Sequence, residues 1–204
     1  MVLIQEIMGS NPIGSEKFDS SRMRKVLASG FFDRPTLRVA KELLGKFLVR
    51  RFPRRSASGL RKSASREAAA MIIEVEAYIG FHDLASHASR GKTARNTVMF
   101  GRAGVWYVYF TYGMHWMLNI VTGPKGYPAA VLIRGIEGIP GPARVTKYFK
   151  VDRRMNLKPA SRKTGLWIED RGARIPKSRM KRGMRIGVDY AGSWKRKLWR
   201  FYVV

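Results

Sequence analysis

Two carboxylates, Glu74 and Glu76, lie on one side of a short run whose alternation is typical of a β-strand. Within residues 72–78, every second residue from Ile73 to Ala77 is apolar and points one way, whereas Glu74, Glu76 and Tyr78 point the other. A carboxylate held on a strand can act as a general base that activates a water molecule. Solvent-facing glutamates that neutralise nearby arginines would give the same pattern, so the pattern alone leaves both interpretations open.

A long basic and aromatic stretch follows these carboxylates, since the next acid after Asp83 is Glu137. Alternation turns Tyr107 and Tyr109 away from Trp106, so one strand cannot bury every ring in this region. Exposed rings among positive charges are what the stacking of nucleic-acid bases requires. The crowded aromatic residues are Trp106, Tyr107, Tyr109, Phe110, Tyr112, Trp116 and Tyr127, and core packing accounts for about half of them.

The remaining candidate groups do not indicate a metal or cofactor site. The chain has no cysteine, which excludes disulfides, thiolate metal sites, iron–sulfur clusters and a cysteine nucleophile. Its three histidines are His82, His87 and His115, and their spacing fits no ordinary zinc site. The glycine-containing segments 101–104 and 138–141 lack the phosphate-loop pattern and are interpreted as turns. We therefore expect no metal site.

The charge of the chain indicates its partner. Its 204 residues carry 40 Lys and Arg against 14 Asp and Glu, a net charge of +26. Such a field attracts polyanions and releases their counterions, so nucleic acid is the leading partner and an acidic membrane surface the alternative. No stretch has the length and apolarity of a membrane span, and the first residues do not resemble a secretory signal. We expect an intracellular protein of the cytoplasm or nucleoid, with no membrane association.

Periodicity predicts the elements that must position these residues. A helix should begin at Pro35 and end near Gly45, and another should cover 144–149. Strands are predicted at 46–51, 72–78, 105–111, 118–122 and 129–134, and the late segments 185–188 and 199–204 could return to the sheet. The fold class is α+β, a single domain with a curved, mainly antiparallel β-sheet or open barrel flanked by helices.

Two segments lie outside this pattern. Residues 1–30 are predicted to be an N-terminal leader with a short helix over Ser20 to Gly30, before a functional domain spanning residues 31–204. The run from Arg50 to Arg66 holds seven basic residues and no acid. We interpret that run as a solvated loop, and a hairpin tip that contacts DNA remains the alternative.

Several dense motifs, in one order along the chain, resemble those of the 3-methyladenine (alkyladenine) DNA glycosylase family. The resemblance runs from about Phe31 to Val203. Its motifs are Leu43 to Lys46, Glu74 to Gly80, Asp83, Ala85 to His87, Arg90-Gly91, Thr93 to Asn96, Met99 to Gly101, Gly104, Tyr107 to Tyr109, Tyr112 to Met114, Leu118 to Ile120, Ala130 to Arg134, Arg185 to Val188, Ala191-Gly192, Trp194 and Arg200 to Val203. The basic segment after Arg134 is shorter than is usual in the family.

The resemblance implies a catalytic group of three residues. Glu76 matches the carboxylate that positions and deprotonates the attacking water. Arg134 matches an arginine that helps to hold this water and a nearby phosphate, and the backbone carbonyl of Ile186 would be the third contact of the water. No Schiff-base lysine is needed, so the resemblance implies a monofunctional glycosylase that leaves an abasic site. It also implies that neither a cofactor nor a metal is needed.

The resemblance also implies how the base and the duplex are held. Tyr78, His87 and Tyr109 match the residues that sandwich a flipped base, and Asn119 matches the residue that crowds the exocyclic amino group of normal guanine. Tyr112 matches the side chain that fills the gap left in the duplex. Three further positions match residues that contact DNA, namely Met114, Thr93 and Arg95.

The implied partner is double-stranded DNA that contains damaged purines, namely 3-methyladenine, 7-methylguanine, hypoxanthine or ethenoadenine. The implied enzyme is a base-excision repair hydrolase that acts as a monomer. A non-catalytic DNA- or RNA-binding protein on the same fold would fit the composition equally well. A ribosome-associated basic protein would explain the charge but not the aromatic pocket.

Overall fold

A single twisted sheet organises the chain in the structure, a computed structural model that describes residues 24–52 and 66–204. Every strand pairing in the described residues is antiparallel, and the sheet is not closed into a barrel. The predicted α+β class and mainly antiparallel sheet are confirmed. The strands are β1 Lys25–Val26, β2 Phe47–Arg51, β3 Glu67–Ile79, β4 Trp106–Thr111, β5 His115–Val121, β6 Ala129–Ile136, β7 Ile139–Pro140, β8 Leu166–Asp170, β9 Met180–Gly183 and β10 Arg200–Val203.

The order of the strands brings distant parts of the sequence together. The path runs β1-β8-β2-β3-β6-β5-β4, while β10 pairs with both β3 and β9, and β7 pairs with β6. The long strand β3 is therefore central, because β2 pairs with its first half and β6 and β10 pair with its second half. Its second half carries Glu74, Glu76 and Tyr78.

Helices cover one side of this sheet. The helices are α1 Ser29–Phe32, α2 Thr36–Leu43 and α3 Pro142–Tyr148. The predicted helix near Pro35 is confirmed as α2, which buries Val39, Ala40 and Leu43 against the sheet. Gly45, two residues after its end, has a φ of +85°, a left-handed conformation that glycine adopts without a Cβ clash. The predicted helix at 144–149 is confirmed as α3, within one or two residues at each end.

The strand β3 departs from strict alternation. Ile72 and Val75 are three residues apart, yet both lie in the main core, and the register against β6 shifts on either side of Glu74. This irregularity is a β-bulge, which inserts an extra residue and re-aims the side chains beside it. The prediction that Ile73 shares the core face of Val75 and Ala77 is therefore wrong, because Ile73 is only partly buried and lies outside that core.

Two predicted elements are corrected. The predicted helix over 20–30 is not formed by its described residues, because Lys25–Val26 is a strand and α1 begins only at Ser29. The segment 185–188 is a loop between β9 and a 3₁₀ helix at Asp189–Arg196, whereas the last predicted strand is confirmed as β10. The leader residues 1–23 and residues 53–65 of the basic run lie outside the described residues. None of the helices in residues 24–52 and 66–204 has the length and apolarity needed to cross a membrane.

Candidate active site

Glu76 lies at the floor of a pocket of about 430 Å³, although its own residue surface is 0% exposed. It is opposite Arg200 of β10 and Leu132 of β6, so it is placed in the middle of the sheet rather than at an edge. A surface glutamate that only neutralises a neighbour would not be buried in this way. The burial favours the functional interpretation of this carboxylate over the surface one.

Both oxygens of the Glu76 carboxylate are held. The backbone N–H of Ile186 donates to Oε1 at 2.9 Å, and the Tyr78 hydroxyl donates to Oε2 at 2.8 Å. The Nε of Arg134 lies 3.6 Å from Oε1. These contacts fix the orientation of the carboxylate, and they bring together Glu76, Arg134 and Ile186, the three residues predicted for catalysis.

The electrostatic surroundings make Glu76 a stronger base than an exposed glutamate. Burial raises the pKa of Glu76 above its ordinary value, because removal from water disfavours the charged form. Arg134 and the two hydrogen bonds lower this pKa, but they do not fully offset the burial. A carboxylate with a raised pKa accepts a proton more readily, as a general base working near neutral pH must.

The aromatic residues that line the pocket do not form three equivalent walls. The rings of His87 and Tyr109 are in edge contact, with centroids 4.7 Å apart. A flat ligand between two rings would require them to be about 7–8 Å apart, twice the optimal contact distance. His87 and Tyr109 therefore make one wall together. Tyr78 also lines the pocket, and the guanidinium of Arg185 lies 4.9 Å from the centroid of its ring.

Tyr107 belongs to this site, although its role was not predicted. Its hydroxyl is 2.8 Å from Nδ1 of His87, and its ring centroid is 5.0 Å from that of Tyr109. Burial lowers the pKa of His87 to about 4, with the charge of Arg95 acting in the same direction, so the imidazole is neutral at physiological pH. The alternation of Tyr107 with Tyr109 on β4 was the signal in the sequence that could have identified it.

Asn119 is buried on β5 and lines the same pocket. Its side-chain amide donates to the backbone carbonyl of Tyr107 at 3.1 Å. This bond fixes the orientation of the amide, so Asn119 presents a rigid edge to anything that enters the pocket.

The hairpin between β4 and β5 places Tyr112 at the mouth of the pocket. Tyr112 and Gly113 both have positive φ, +52° and +65°, as the central residues of a type I′ turn must. A tyrosine rarely adopts this conformation, and here the residue is 76% exposed. The turn thus presents a large ring to solvent beside the pocket.

The other residues predicted to contact DNA have different positions. Arg95 lines the pocket, and its guanidinium lies 4.9 Å from the centroid of the Tyr109 ring. Met114 is exposed next to Tyr112 but lies outside the pocket. Thr93 is also outside it, where its backbone N–H donates to the side chain of the buried Asn96 at 2.7 Å.

A buried ion pair behind the pocket was also missed by the sequence analysis. Asp83 and Arg185 both have fully buried side chains, joined by two hydrogen bonds of 2.5 and 2.7 Å. Arg185 also donates to the carbonyl of Ala77 at 2.9 Å, which ties the loop that carries Ile186 to β3. The two residues are 102 positions apart, so only the folded chain shows that they are partners.

A basic cleft of about 480 Å³ adjoins the hairpin. It lies between the hairpin residues Met114 to Trp116 and α3 with the segment that follows it, and Pro142 at the start of that helix lines the pocket itself. The cleft is lined by the cationic side chains of Arg144, Lys147 and Lys150, and by Arg154, which is ion-paired with Asp152 of the same cleft at 2.6 Å. An anionic chain could therefore run from this cleft to the mouth of the pocket.

A larger groove of about 1,050 Å³ lies elsewhere, near β1 and α2. Two acids line this groove. Glu42 is ion-paired with Arg34 and Arg38, and Asp170 is ion-paired with Lys46. In the part of the chain that the structure describes, it therefore offers no free carboxylate for catalysis. Among the described residues, no three His, Asp or Glu side chains are grouped so that they could hold a metal ion.

Comparison with known proteins agrees with this geometry. A model of the methylpurine-DNA glycosylase family matches residues 30–140 and 138–204. A protein of Methanocella arvoryzae is 42% identical over 197 residues, which cover 87% of this chain and 92% of that protein. A protein of Myxococcus xanthus is 42% identical over 184 residues, covering 87% and 89%, and one of Legionella pneumophila (strain Paris) is 40% identical over 188 residues, covering 89% and 95%. All three relatives are named "Putative 3-methyladenine DNA glycosylase".

Proposed function

We propose that this chain, which belongs to the methylpurine-DNA glycosylase family, flips alkylated or deaminated purines out of duplex DNA and hydrolyses their N-glycosidic bonds. Membership of the family makes the chain a DNA glycosylase, a hydrolase of base-excision repair. The observation that carries the finer proposal is Glu76, a fully buried carboxylate of raised pKa at the floor of an aromatic pocket.

The proposed step is the attack of a water molecule on the sugar. The Glu76 carboxylate accepts a proton from the water, and the water oxygen forms a bond to C1′ of the deoxyribose. The bond between C1′ and the base nitrogen breaks, and its electron pair leaves with the base. The negative charge of Glu76 also stabilises the positive charge that develops on the sugar. The arrangement supports this role because Ile186 and Tyr78 hold the carboxylate by its two oxygens.

Arg134 is proposed to bind a phosphate and the attacking water beside Glu76. Its Nε is bonded to Glu74 at 3.1 Å, and its terminal nitrogens have no hydrogen-bond partner within residues 24–52 and 66–204. A guanidinium anchored at Nε with both terminal nitrogens free is suited to an oxyanion. We also propose that the carbonyl of Ile186 contacts the water, while its N–H holds the carboxylate.

The aromatic residues of the pocket are proposed to hold the extruded base between Tyr78 on one side and His87 with Tyr109 on the other. Alkylation of a purine ring nitrogen leaves a positive charge, and such a base departs as a neutral molecule, so a strong general acid is not needed. A cationic ring stacked on an aromatic face gains about 0.5–2 kcal/mol. Asn119, fixed by its bond to the Tyr107 carbonyl, is placed to exclude the exocyclic amino group of normal guanine.

Extrusion of the base leaves a gap in the duplex, and we propose that Tyr112 fills it. An enzyme that acts on a base must bring it out of the stack, which costs a few kcal/mol. An exposed ring on a tight turn beside the pocket is suited to insert between base pairs. Arg95, Met114 and Thr93 are proposed to contact the surrounding DNA. We further propose that the enzyme acts as a monomer and leaves an unbroken abasic site, since the described pocket has no lysine among its lining residues.

An excision assay tests the proposal. The protein is incubated with duplexes that carry a single ethenoadenine, hypoxanthine or 7-methylguanine, and abasic sites are then cleaved with alkali. We expect strand breaks at the lesion after alkali and none without it. Strand breaks before alkali would contradict the monofunctional assignment. Binding to DNA with no release of any lesion would instead indicate a non-catalytic binding protein on the same fold.

The wedge role of Tyr112 gives a separate prediction. We expect Tyr112→Ala to weaken binding to lesion-containing duplex by about 5- to 150-fold, because stacking of one base on an aromatic ring is worth about 1–3 kcal/mol. Fluorescence anisotropy with labelled duplexes measures this affinity. The matched control is Tyr112→Phe, which keeps the ring and should bind nearly as the wild type does. Equal losses on damaged and undamaged DNA would argue against insertion into the stack.

A further inference from the structure

Glu74 has a position that the proposed mechanism does not use. It is two residues before Glu76 on β3, beside the bulge, and its side chain is 16% exposed. Its Oε1 accepts two hydrogen bonds, from Nε of Arg134 at 3.1 Å and from Nη1 of Arg200 at 2.9 Å. One carboxylate oxygen therefore joins an arginine of the pocket to an arginine outside it.

We propose that Glu74 is a positioning residue that holds Arg134 by its Nε. The positive charge of Arg134 is then shared between the carboxylates of Glu74 and Glu76 and does not act on Glu76 alone. The distances support this division, since Nε of Arg134 is 3.1 Å from Glu74 but 3.6 Å from Glu76. This inference rests on the proposed role of Glu76 as the base.

The surroundings show that this contact is built into the fold. Gly135, opposite Glu74 on β6, leaves the space for its side chain, because a Cβ there would come within 3.0 Å of the Glu74 Cβ. Arg200 is itself fixed, since its Nε donates to the Met184 carbonyl at 2.9 Å. Glu74 is therefore held from one side by Arg200, and it holds Arg134 from the other.

The consequence concerns the basicity of Glu76. An arginine that paired with Glu76 alone would strongly favour the charged carboxylate and weaken it as a base. By sharing Arg134 and by adding its own negative charge, Glu74 keeps the pKa of Glu76 raised, in the same direction as burial. The charged and titratable groups that face Glu76 from its neighbouring elements are Glu74 and Tyr78 of β3, Arg134 of β6, Tyr109 of β4, Arg200 of β10, and the Asp83–Arg185 pair behind the loop of Ile186.

The test is the pH dependence of excision by Glu74→Gln. Glutamine keeps an oxygen that can accept from both arginines but removes the charge, so Arg134 should act fully on Glu76. Activity requires deprotonated Glu76, so it rises with pH through the pKa of this residue. We expect the acidic limb of the kcat profile to move to lower pH by about 1 unit, with a lower plateau rate. An acidic limb that coincides with that of the wild type would overturn the proposal.

Two variants separate this effect from damage to the fold. Glu67→Gln removes the same charge from the same strand, where Glu67 pairs with the half-buried Arg51 far from Glu76 along that strand, and it should leave the profile unchanged. Glu74→Asp keeps the charge and should leave the acidic limb near its wild-type position even if the rate falls. A limb in Glu74→Asp that moves as far as in Glu74→Gln would also contradict the proposal.

A measurement without catalysis distinguishes failure of this inference from failure of the proposed function. The pKa of Glu76 is followed by NMR on protein with ¹³C-labelled glutamate, and its resonance is assigned by its loss in Glu76→Gln. We expect the same downward shift in Glu74→Gln. Wild-type protein that releases no base would refute the proposed function, yet the titration would still decide whether Glu74 controls the carboxylate.

Discussion

Glu76→Gln should reduce base release by about 10²–10⁴-fold while leaving binding to lesion-containing DNA close to that of the wild type. Glutamine has nearly the same shape, and its side-chain oxygen can still accept from the Ile186 N–H while its amide nitrogen donates to the Tyr78 hydroxyl oxygen, but it cannot take a proton from water. Single-turnover release measured by alkali cleavage gives the rate, and anisotropy gives the affinity. The uncharged variant also loses the stabilisation of positive charge on the sugar.

The control for Glu76→Gln is Glu67→Gln, the same substitution nine residues earlier on β3, which should retain full activity. An active Glu76→Gln enzyme would remove the assignment of this carboxylate as the base. Loss of both activity and lesion binding would indicate instead that Glu76 maintains the shape of the pocket.

Arg185→Met should reduce the free energy of unfolding by about 3–5 kcal/mol, because it leaves the Asp83 carboxylate buried without its partner. Urea denaturation followed by circular dichroism measures this loss. Double replacement, Arg185→Met with Asp83→Asn, should recover part of it, since the uncompensated buried charge is then gone. The matched control is Arg38→Met, which breaks an exposed pair with Glu42 on α2 and should cost less than about 1 kcal/mol.

The same variant should affect the site as well as stability. Arg185 joins the loop of Ile186 to Asp83 and to the Ala77 carbonyl, and its guanidinium packs on the ring of Tyr78. Its loss would therefore release the N–H that holds Glu76. A stability loss as small as that of Arg38→Met would show that water or a rearranged partner compensates Asp83.

Local periodicity was sufficient to predict most of the elements of the fold. The apolar face of α2, the aromatic and β-branched run of β4 and the apolar run of β6 are encoded within a few consecutive residues, and the structure has these elements within a few residues of their predicted bounds. The bulge in β3 was not predicted, because it depends on the pairing with β6, where the small Gly135 lies opposite Glu74. The segment 185–188 was expected as a strand because its short apolar pattern gave no sign that Arg185 is drawn inward by Asp83.

The site was predicted from the order of the motifs that resemble those of the family. The alternation of residues alone left the role of Glu76 open between a catalytic base and a surface charge. The structure shows it buried among the predicted neighbours, and their roles stay predictions until they are tested. What the sequence could not provide are contacts between distant positions. Arg200 binds Glu74 across 126 residues, and Tyr107 meets His87 from another element. Such pairs are set by tertiary packing and leave no local signal.

The hairpin turn at Tyr112 has a consequence for protein engineering. A tyrosine at a φ of +52° carries strain of about 1–2 kcal/mol that glycine or asparagine would relieve. A library selected only for heat resistance would therefore favour loss of the ring proposed to enter the duplex. Consensus or stability-guided design of this enzyme should hold position 112 fixed, because the most strained residue of the turn is the one that its proposed function requires.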